Sequence, residues 1–324
     1  MRLLFITATR IGDAVLSTGL LAHLLAENPG ARVTVAVGRI SAPLFAAVPG
    51  LDQVFAVDKQ PYGAHWFGLW GKAALTRWDV VVDLRGSATA YLLWAGRRLV
   101  IGKRRPGRHR VEELGDLLKL APPPAPTVWL SDAARQRAAA LVPAGGPVLA
   151  VAPAANWLGK QWPAERFAAL ASRLTATGGP FAGARIAVFA APHERAQAAP
   201  LLEMAGERGL DLIGCGDLLD VAGCLQRCDL FIGNDSGLMH LAAAAGVPTL
   251  GLFGPSPEDR YRPWAARAAY VRTQESYEAL TGAPDFDPKT CGCLMDGLSV
   301  ERAEAAATAL WLRQGGDHRL QGEV

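Results

Sequence analysis

A turn near the start of the chain carries the residues best suited to act as a catalytic base. Thr9-Arg10-Ile11-Gly12-Asp13 follows the apolar run 2–7 and precedes a helically spaced apolar pattern. A glycine at a strand-to-helix turn lets the backbone approach a ligand, and a carboxylate in the first helical turn can accept a proton from a reacting hydroxyl. Asp13 would also stabilise the start of its helix electrostatically without taking part in any reaction. Both interpretations of Asp13 stay open at this point, and Gly12 is expected to make room for a ligand.

A second polar cluster follows a later apolar run, in the segment Phe-Ile-Gly-Asn-Asp-Ser-Gly-Leu-Met-His at 231–240. The free backbone N–H groups at a helix start, with small residues beside them, suit an anion such as a diphosphate. Taken singly, Asp235 is explained as a helix N-cap and His240 as a buried histidine with its hydrogen bonds satisfied. Their combination on one turn predicts an anion site made by Asp235, Ser236, Gly237 and His240.

Two further loops also follow predicted strands in this part of the chain. The loop 153–163 holds Asn156 and Lys160 and carries no other charge, so the ammonium could neutralise a phosphate, although a lone lysine is usually solvated. The segment 191–195 holds Glu194, which could bond ribose hydroxyls or only begin the next helix.

A basic run occupies residues 103–110, Lys-Arg-Arg-Pro-Gly-Arg-His-Arg. Arg104, Arg105 and Arg108 are the candidates for binding a phosphate or carboxylate of an anionic acceptor, or an anionic membrane surface. A solvated loop is the alternative interpretation.

Alternating apolar runs and helical patterns place these loops at strand ends and predict parallel βαβ units. The rhythm restarts after the breaker cluster 143–147, so we expect one domain at 1–145, a second domain at 146–314 and a tail at 315–324. Two doubly wound, Rossmann-like α/β domains would face a central cleft, where ligands bind outside the carboxyl ends of the strands. The strands are expected at 2–7, 32–37, 54–57, 79–84, 148–152, 184–189, 210–213, 229–232 and 248–253.

Composition limits the classes of protein that remain. The 324 residues are 50% hydrophobic and 19% charged, which excludes a disordered chain. The formal net charge is only +3, so binding to nucleic acid is not expected. Five cysteines do not form a disulfide framework, no signal peptide is evident, and no apolar run is long enough to span a bilayer. We therefore expect a cytoplasmic protein, with peripheral contact to a membrane surface as a further expectation.

The four polar stretches together resemble glycosyltransferase family 9, the heptosyltransferase family of lipopolysaccharide core assembly. The resemblance covers residues 1–255, and its most specific part is the segment 233–240 with Phe253-Gly254-Pro255 downstream. It implies a GT-B fold, in which the domain 1–145 would be the acceptor-binding domain and the domain 146–314 the nucleotide-sugar-binding domain. It also implies inverting transfer of heptose from ADP-heptose to a lipopolysaccharide core or related glycolipid acceptor, with no bound metal or other cofactor. Contact with the cytoplasmic face of the inner membrane would follow from such an acceptor.

The resemblance also implies a role for each site residue. Asp13 would be the base, Lys160 would contact the phosphates, and Glu194 would hold the ribose. The diphospho-sugar would be held by Asp235, Ser236, Gly237 and His240. Two departures stand out: Gly19 lies where the family commonly has proline, and Ala154-Ala155-Asn156 replaces a loop richer in hydroxyl groups, with Asn156 left as its polar donor-side residue.

Two alternatives remain open besides an inverting glycosyltransferase. A nucleotide-sugar epimerase of the same architecture would convert its nucleotide sugar without an acceptor. A non-catalytic nucleotide-sugar-binding protein would bind tightly without turnover, although Asp13 has no evident purpose in binding alone.

Overall fold

The first apolar runs of the chain form a five-stranded parallel sheet. In the computed structural model, which describes residues 1–313, this sheet lies in a first compact unit, Met1–Ser131, and a second unit begins at Asp132. The central strand is buried from Leu3 to Ile6 because helices cover both faces of a parallel sheet. The elements of this unit are, in chain order, β1 Arg2–Ile6, α1 Ile11–Glu27, β2 Arg32–Val37, β3 Leu51–Ala56, α2 Ala64–Ala73, β4 Trp78–Asp83, α3 Thr89–Leu92, β5 Ala95–Val100 and α4 Arg110–Gly115.

The second unit is built in the same way around a six-stranded parallel sheet. Three of its strands are buried along their whole length and hold its core. Its elements are α5 Asp132–Leu141, β6 Val148–Ala152, α6 Ala164–Thr175, β7 Arg185–Val188, α7 Arg195–Ala205, β8 Gly209–Asp211, α8 Leu218–Leu225, β9 Leu230–Asn234, α9 Gly237–Ala244, β10 Thr249–Phe253, α10 Glu258–Tyr261, β11 Ala268–Arg272, α11 Tyr277–Thr281 and α12 Val300–Leu312.

Both sheets reverse their strand order at a single point. The first runs β3-β2-β1-β4-β5 and the second β11-β10-β9-β6-β7-β8, so the order reverses between β1 and β4 and between β6 and β9. The loops leaving the two strands at such a switch point turn to opposite faces and leave a crevice where ligands bind. The loops after β6 and β9 hold residues 153–163 and 235–236, and the turns after β1 and β4 hold residues 7–10 and 84–88. Three of the polar stretches found in the sequence, at 9–13, 153–163 and 231–240, therefore lie at the switch points of the two sheets, whereas 191–195 follows β7 and 103–110 follows β5.

The sequence analysis did not predict two of the strands, and both of them lie at sheet edges. The strands β5 and β11 are edge strands, and most of their residues are exposed or half-buried. Prediction from apolar runs finds strands that are covered on both faces, so a strand covered on one face at most does not give that signal.

The division between the units falls at 131/132, earlier than the 143–147 boundary expected from the breaker cluster. The helix α5 lies with the second unit because it packs on α8, where Gly223 leaves room for the side chain of Ala138. The Arg137 guanidinium also lies 2.5 Å from an Asp220 carboxylate oxygen. The predicted tail at 315–324 lies outside the described residues, as does residue 314 at the end of the second predicted domain.

The glycine at position 19 has a packing reason. It lies inside α1 against the backbone of the segment 124–125, and a Cβ at this position would overlap the carbonyl oxygens of Pro124 and Ala125. The Thr18 hydroxyl accepts a 2.9 Å hydrogen bond from the Thr127 backbone N–H just beyond. This departure from the family pattern therefore accompanies a close helix-to-backbone contact.

Candidate functional site

An ion pair joins the two loops at the switch point of the second sheet. Lys160, in the loop after β6, places its Nζ 2.5 Å from Oδ2 of Asp235, which follows β9. The Asp235 side chain is 7% exposed and that of Lys160 is 23% exposed, so the pair is largely desolvated. The sequence predicted both residues as ligands of one diphospho-sugar, and the structure brings them into direct contact with each other.

The residue before Asp235 fixes the loop that carries Lys160. Asn234 is fully buried; its Oδ1 accepts from the Trp162 backbone N–H at 3.1 Å, and its Nδ2 donates to the Pro153 carbonyl at 2.7 Å. The Trp162 indole, also buried, donates to the Leu298 carbonyl at 2.9 Å. Both ends of the loop are thus anchored, which positions the lysine between them.

The middle of the same loop is held by a segment from far along the chain. The Leu294 backbone N–H donates to the Gly159 carbonyl at 3.2 Å, and the Cys293 thiol lies 3.2 Å from the Gln161 carbonyl. A Cβ on Gly159 would come within 2.8 Å of the Trp157 ring and 3.2 Å of the Cys291 sulfur. Glycine is therefore the residue that fits beside Lys160.

Buried polar groups without a protein partner surround the ion pair. Among the described residues, the Ser236 hydroxyl, the Ser256 hydroxyl and the Trp157 indole nitrogen are buried and make no hydrogen bond. They belong to the loops after β9, β10 and β6, which are neighbours in the sheet. Leaving a buried donor unsatisfied costs about 1–3 kcal/mol, which a ligand with acceptor oxygens would offset. Ser256 and Trp157 were not among the predicted site residues, although each follows a buried strand at its carboxyl end.

The remaining residues of the 235–240 turn lie beside the pair. Ser236 is the N-cap of α9, and Gly237 is the first residue of that helix. His240 is buried, and its Nε2 lies 3.9 Å from Asp235 Oδ1. Its ring meets that of Tyr261 edge-on, with the ring centres 6.5 Å apart. The structure thus places Lys160 and all four predicted residues of this turn at the same switch point.

The other two predicted donor-side residues, Glu194 and Asn156, make few hydrogen bonds among the described residues. Glu194 is half-buried after β7, and its Oε2 accepts from the Ala191 backbone N–H at 2.8 Å. That bond orders the turn and leaves the other carboxylate oxygen for a ligand. Asn156 is exposed and makes no side-chain hydrogen bond within residues 1–313. The replacement of a hydroxyl-rich loop by Ala154, Ala155 and Asn156 leaves this stretch without fixed polar side chains.

The candidate base lies in the first unit. Asp13 is half-buried in the first turn of α1, directly after the turn that leaves β1. That turn packs closely on Gly38, where a Cβ would come within 2.6 Å of the Thr9 Cα. A rigid turn of this kind holds a carboxylate at the carboxyl end of the central strand.

The turn after β4 holds a guanidinium that sequence reasoning missed. The Asp83 carboxylate is fully buried and accepts from the Arg85 and Ser87 backbone N–H groups and from the Ser87 hydroxyl, at 2.6–2.8 Å. The Arg85 guanidinium lies 4.4 Å from the centre of the Trp66 ring and makes no salt bridge in the described part of the chain. Burial lowers its pKa. The available signal in the sequence was that Arg85 directly follows the predicted strand 79–84 at its carboxyl end.

Beside it, His65 is a buried imidazole. Its Nδ1 accepts from the Gln60 backbone N–H at 3.2 Å, and its Nε2 is buried with no hydrogen-bond partner within residues 1–313. Burial lowers the pKa of His65, and the positive charge of Arg85 lowers it further. Arg85 and His65 thus present two donor groups without partners near the first switch point.

The basic loop divides into paired and unpaired cations. Arg105 and Arg108 both contact Asp116, at 3.0 and 3.1 Å, and Arg108 also lies 3.4 Å from Glu112. By contrast, Lys103 and Arg104 form no ion pair among the described residues. Both of the latter line a pocket of about 520 Å³, together with Ile101, Gly102, Arg105, Arg110, Glu113, Asp116 and Leu117. Of the three arginines predicted to contact the acceptor, Arg104 alone forms no ion pair among the described residues.

The part of the chain that the structure describes contains neither a metal cluster nor a membrane-spanning helix. No group of three or more His, Cys, Asp or Glu side chains within residues 1–313 is arranged to hold a metal ion. Over the same residues, no helix combines the length and the apolar character needed to cross a bilayer.

Two Rossmann-like parallel sheets in one chain are the fold of the GT-B class of glycosyltransferases, and this confirms the predicted α/β fold class. Residues 88–286, more than half of the chain, match the family described as Glycosyltransferase family 9 (heptosyltransferase). The chain belongs to glycosyltransferase family 9, as its motifs indicated, and it is therefore a glycosyltransferase.

Its relatives agree with this assignment. Lipooligosaccharide heptosyltransferase 2 of Haemophilus influenzae is 24% identical over 319 residues, covering 85% of this chain and 89% of that protein. The crystal structure of a family 9 glycosyl transferase from Veillonella parvula DSM 2008 superposes with a TM-score of 0.78 at 22% identity, covering 96% of this chain and 97% of that one. Escherichia coli ADP-heptose LPS heptosyltransferase II gives a TM-score of 0.75 at 20% identity, covering 97% and 100%.

Proposed function

We propose that this glycosyltransferase moves a heptose or related sugar from an ADP-sugar to a lipopolysaccharide core or related glycolipid acceptor, with inversion and with Asp13 as the general base. The observation that carries the proposal is the Lys160–Asp235 ion pair, which lies among unpartnered buried donors at the switch point of the second sheet. The names of the similar heptosyltransferases support the choice of donor and acceptor.

The donor diphosphate binds at the second switch point. Lys160 uses one N–H for Asp235 and has two more for phosphate oxygens. The Ser236 hydroxyl and the Trp157 indole supply neutral donors beside it. As the diphosphate leaves, negative charge grows on its oxygens, and donors held in place beforehand stabilise that charge without reorganising. Glu194 offers its free oxygen to the ribose, while Asp235, Gly237 and His240 shape the turn around the sugar diphosphate.

The acceptor hydroxyl attacks the anomeric carbon from the side opposite the diphosphate. A bond forms from the acceptor oxygen to that carbon as the bond to the diphosphate oxygen breaks, and ADP departs. The acceptor proton passes to the carboxylate of Asp13. A single displacement inverts the anomeric configuration, and a positioned base of this kind contributes about 10²–10⁴-fold to the rate.

The acceptor's anionic groups bind to cations of the first unit. Arg85 is partly buried without a carboxylate partner in the described residues, and Lys103 and Arg104 line the pocket beside α4 without one. A phosphate or carboxylate on the acceptor would supply the missing counter-charge, and a guanidinium binds either of them with two parallel hydrogen bonds.

In this mechanism the protein's own groups neutralise the leaving group, and no resident metal or other cofactor takes part. Treatment with a strong chelator should therefore leave kcat unchanged, and restoration of activity by an added divalent ion would contradict this part of the proposal.

We also propose that the enzyme acts in the cytoplasm with peripheral contact to the inner membrane, because a glycolipid acceptor is anchored in a bilayer.

The decisive experiment is incubation with ADP-heptose, with and without a lipopolysaccharide core acceptor, followed by mass spectrometry of both substrates. We expect the acceptor to gain one heptose and ADP to be released only when both substrates are present. Conversion of ADP-heptose in the absence of acceptor would indicate an epimerase. Tight ADP-heptose binding with no product from either mixture would indicate a binding protein.

A further inference from the structure

The exposed aromatic side chains of the molecule are concentrated around α2 and α3. Within residues 1–313, every exposed Phe, Tyr or Trp except Tyr270 lies between positions 62 and 94. We use the term aromatic patch for five large apolar side chains that are 44–76% exposed: Phe67, Trp70, Tyr91, Leu92 and Trp94. Scattered single apolar residues are normal on a protein surface, whereas a cluster of this size marks an interaction site.

The members of the patch lie on neighbouring elements. Phe67 and Trp70 are three residues apart and share one face of α2. The Trp70 indole N–H donates to the Leu92 carbonyl at 3.3 Å, which joins that face to α3. Tyr91 lies within α3, and Trp94 lies two residues beyond its end. The five side chains therefore belong to one surface of the first unit.

The backbone around α3 has protein partners for its carbonyl groups. The Arg98 guanidinium donates to three of them, with distances of 2.5–3.2 Å. The Trp70 indole and the Trp78 backbone N–H satisfy two more. The five carbonyls belong to Ala90, Leu92, Leu93, Trp94 and Ala95. Backbone groups that enter an apolar phase must be satisfied within the protein, so this surface can lose its water at little cost.

The charge around the patch is predominantly positive. The segment 59–111 contains eleven Lys and Arg residues and two acidic residues, the exposed Asp79 and the buried Asp83, whereas the rest of the chain has 22 basic and 28 acidic residues. Lys72, Arg77 and Arg97 are exposed and form no ion pair among the described residues. The Arg77 guanidinium lies 5.5 Å from the centre of the Trp94 ring, so a cation borders the patch directly.

We propose that the aromatic patch docks on the surface of a phospholipid bilayer that contains anionic headgroups. Tryptophan and tyrosine favour the membrane–water interface, where an apolar ring and a polar edge are both accommodated, and flanking Lys and Arg side chains are attracted to anionic lipids. This inference rests on the proposed function for its purpose, because docking would bring the first unit to a lipid-anchored acceptor. A second copy of the chain is a poorer occupant, since two-fold pairing through the patch would bring two basic surfaces together.

The test is co-sedimentation of the full chain with phosphatidylcholine vesicles, prepared with and without phosphatidylglycerol, and with no substrate present. We expect binding to the anionic vesicles that weakens as salt is added. The variant Phe67→Ser/Tyr91→Ser/Trp94→Ser should bind at least about tenfold more weakly, since three apolar anchors are lost. The variant Lys72→Gln/Arg77→Gln should lose about fivefold per charge at low salt and less at high salt.

Leu312→Ser is the matched control, because Leu312 is as exposed as Leu92 but lies on α12 of the second unit, and it should bind as the unchanged protein does. Thermal denaturation verifies the fold of each variant, and calorimetric ADP binding tests the donor site separately, so a failed donor site and a failed docking surface give different results. The inference is overturned if the triple serine variant still binds vesicles fully, or if the unchanged protein ignores anionic vesicles. It is also overturned if the patch instead holds the chain in a dimer that the triple variant dissociates.

Discussion

The Nζ atom of Lys160 lies 2.5 Å from Oδ2 of Asp235, and this contact ties together the loops that leave two adjacent strands at the point where the second sheet reverses its strand order. Before a donor binds, the ammonium is already oriented and its charge is balanced by a carboxylate. In the proposed mechanism, Asp235 would therefore act first on Lys160, as a positioning residue, and Lys160 would present positive charge to a diphosphate.

Replacing Lys160 with alanine should weaken ADP binding and also lower stability. The change removes the phosphate contact and leaves the Asp235 carboxylate, which is 7% exposed, without its cation. Breaking a buried pair from one side costs about 3–5 kcal/mol. The double change Lys160→Met/Asp235→Leu should regain most of the lost stability without regaining ADP affinity. Chemical denaturation and calorimetry measure the two effects separately.

The matched control is the exposed ion pair of Arg195 with Asp211, which is also in the second unit. Exposed pairs contribute about 0–1 kcal/mol, so Arg195→Ala should change neither the denaturation midpoint nor ADP binding appreciably. Unchanged ADP affinity in a folded Lys160→Ala protein would remove Lys160 from the donor site.

The change Asp13→Asn should lower kcat by about 10²–10⁴-fold and leave donor binding nearly unchanged, because asparagine keeps the shape and loses the proton acceptor. Asp132→Asn provides the comparison, since Asp132 is also a carboxylate in the first turn of a helix, α5. If Asp13 served only the helix dipole, the two variants would show similar small losses of stability, about 0.3–1 kcal/mol, and full activity. Steady-state kinetics and thermal denaturation of both proteins decide between these roles, and a loss of kcat under about threefold would place the base elsewhere.

The basic loop should respond differently at its paired and unpaired positions. Changing Lys103 and Arg104 to serine is expected to raise the acceptor KM and to reduce its dependence on salt, because screening acts over about 8 Å at physiological ionic strength. Changing Arg105 and Arg108 to serine removes contacts to Asp116 and should act mainly on the stability of α4. Donor KM should be constant in both variants. Equal effects of the two pairs on acceptor KM would contradict this division.

Replacing Arg85 with glutamine should raise the acceptor KM without changing ADP affinity. The guanidinium lies at the first switch point without a carboxylate partner among residues 1–313, and its loss leaves an anionic acceptor group without that partner. Hydrogen bonds to charged groups contribute about 1.5–3 kcal/mol, so the expected rise is roughly ten- to a hundredfold. Kinetics with an acceptor that lacks its phosphate or carboxylate groups is the check: for that acceptor, the unchanged protein and Arg85→Gln should have the same KM.

Protonation of His65 should oppose folding. Its pKa lies below the ordinary value of 6.5 because of burial and the nearby charge of Arg85. The unfolded chain therefore binds this proton at a higher pH than the folded protein does. The contribution of neutral His65 to the free energy of unfolding is complete at a pH above 6.5, and it decreases as the pH falls through that value. Thermal denaturation between about pH 8 and about pH 5 should show a smaller acid loss for His65→Gln than for the unchanged protein. NMR titration should give a higher pKa for His65 in Arg85→Gln than in the unchanged protein. An identical value would show that the charge of Arg85 does not affect the pKa of His65.

The elements that carry the site follow from local sequence. Buried strands such as β1, β6 and β10 have near-continuous apolar runs, and polar turns that hold Asp13, Lys160 and Asp235 follow strands that the same pattern predicts. These features are local, since burial on both faces and the geometry of a strand-to-helix turn constrain residues that are close in the chain. The motifs in those turns are also sufficient to indicate glycosyltransferase family 9.

Which of those residues meet depends instead on the tertiary arrangement. Lys160 and Asp235 contact each other because β6 and β9 are neighbours, and no local pattern fixes strand order. The same holds for the edge strands β5 and β11, for the pairing of Arg108 with Asp116, and for Arg85, whose role depends on β4 lying beside β1. The aromatic patch likewise needs α2 and α3 to be brought together, since Phe67 and Trp94 look like core residues in the sequence. Apolar character is a property of a residue, whereas exposure and ion pairing depend on what the rest of the fold places against it.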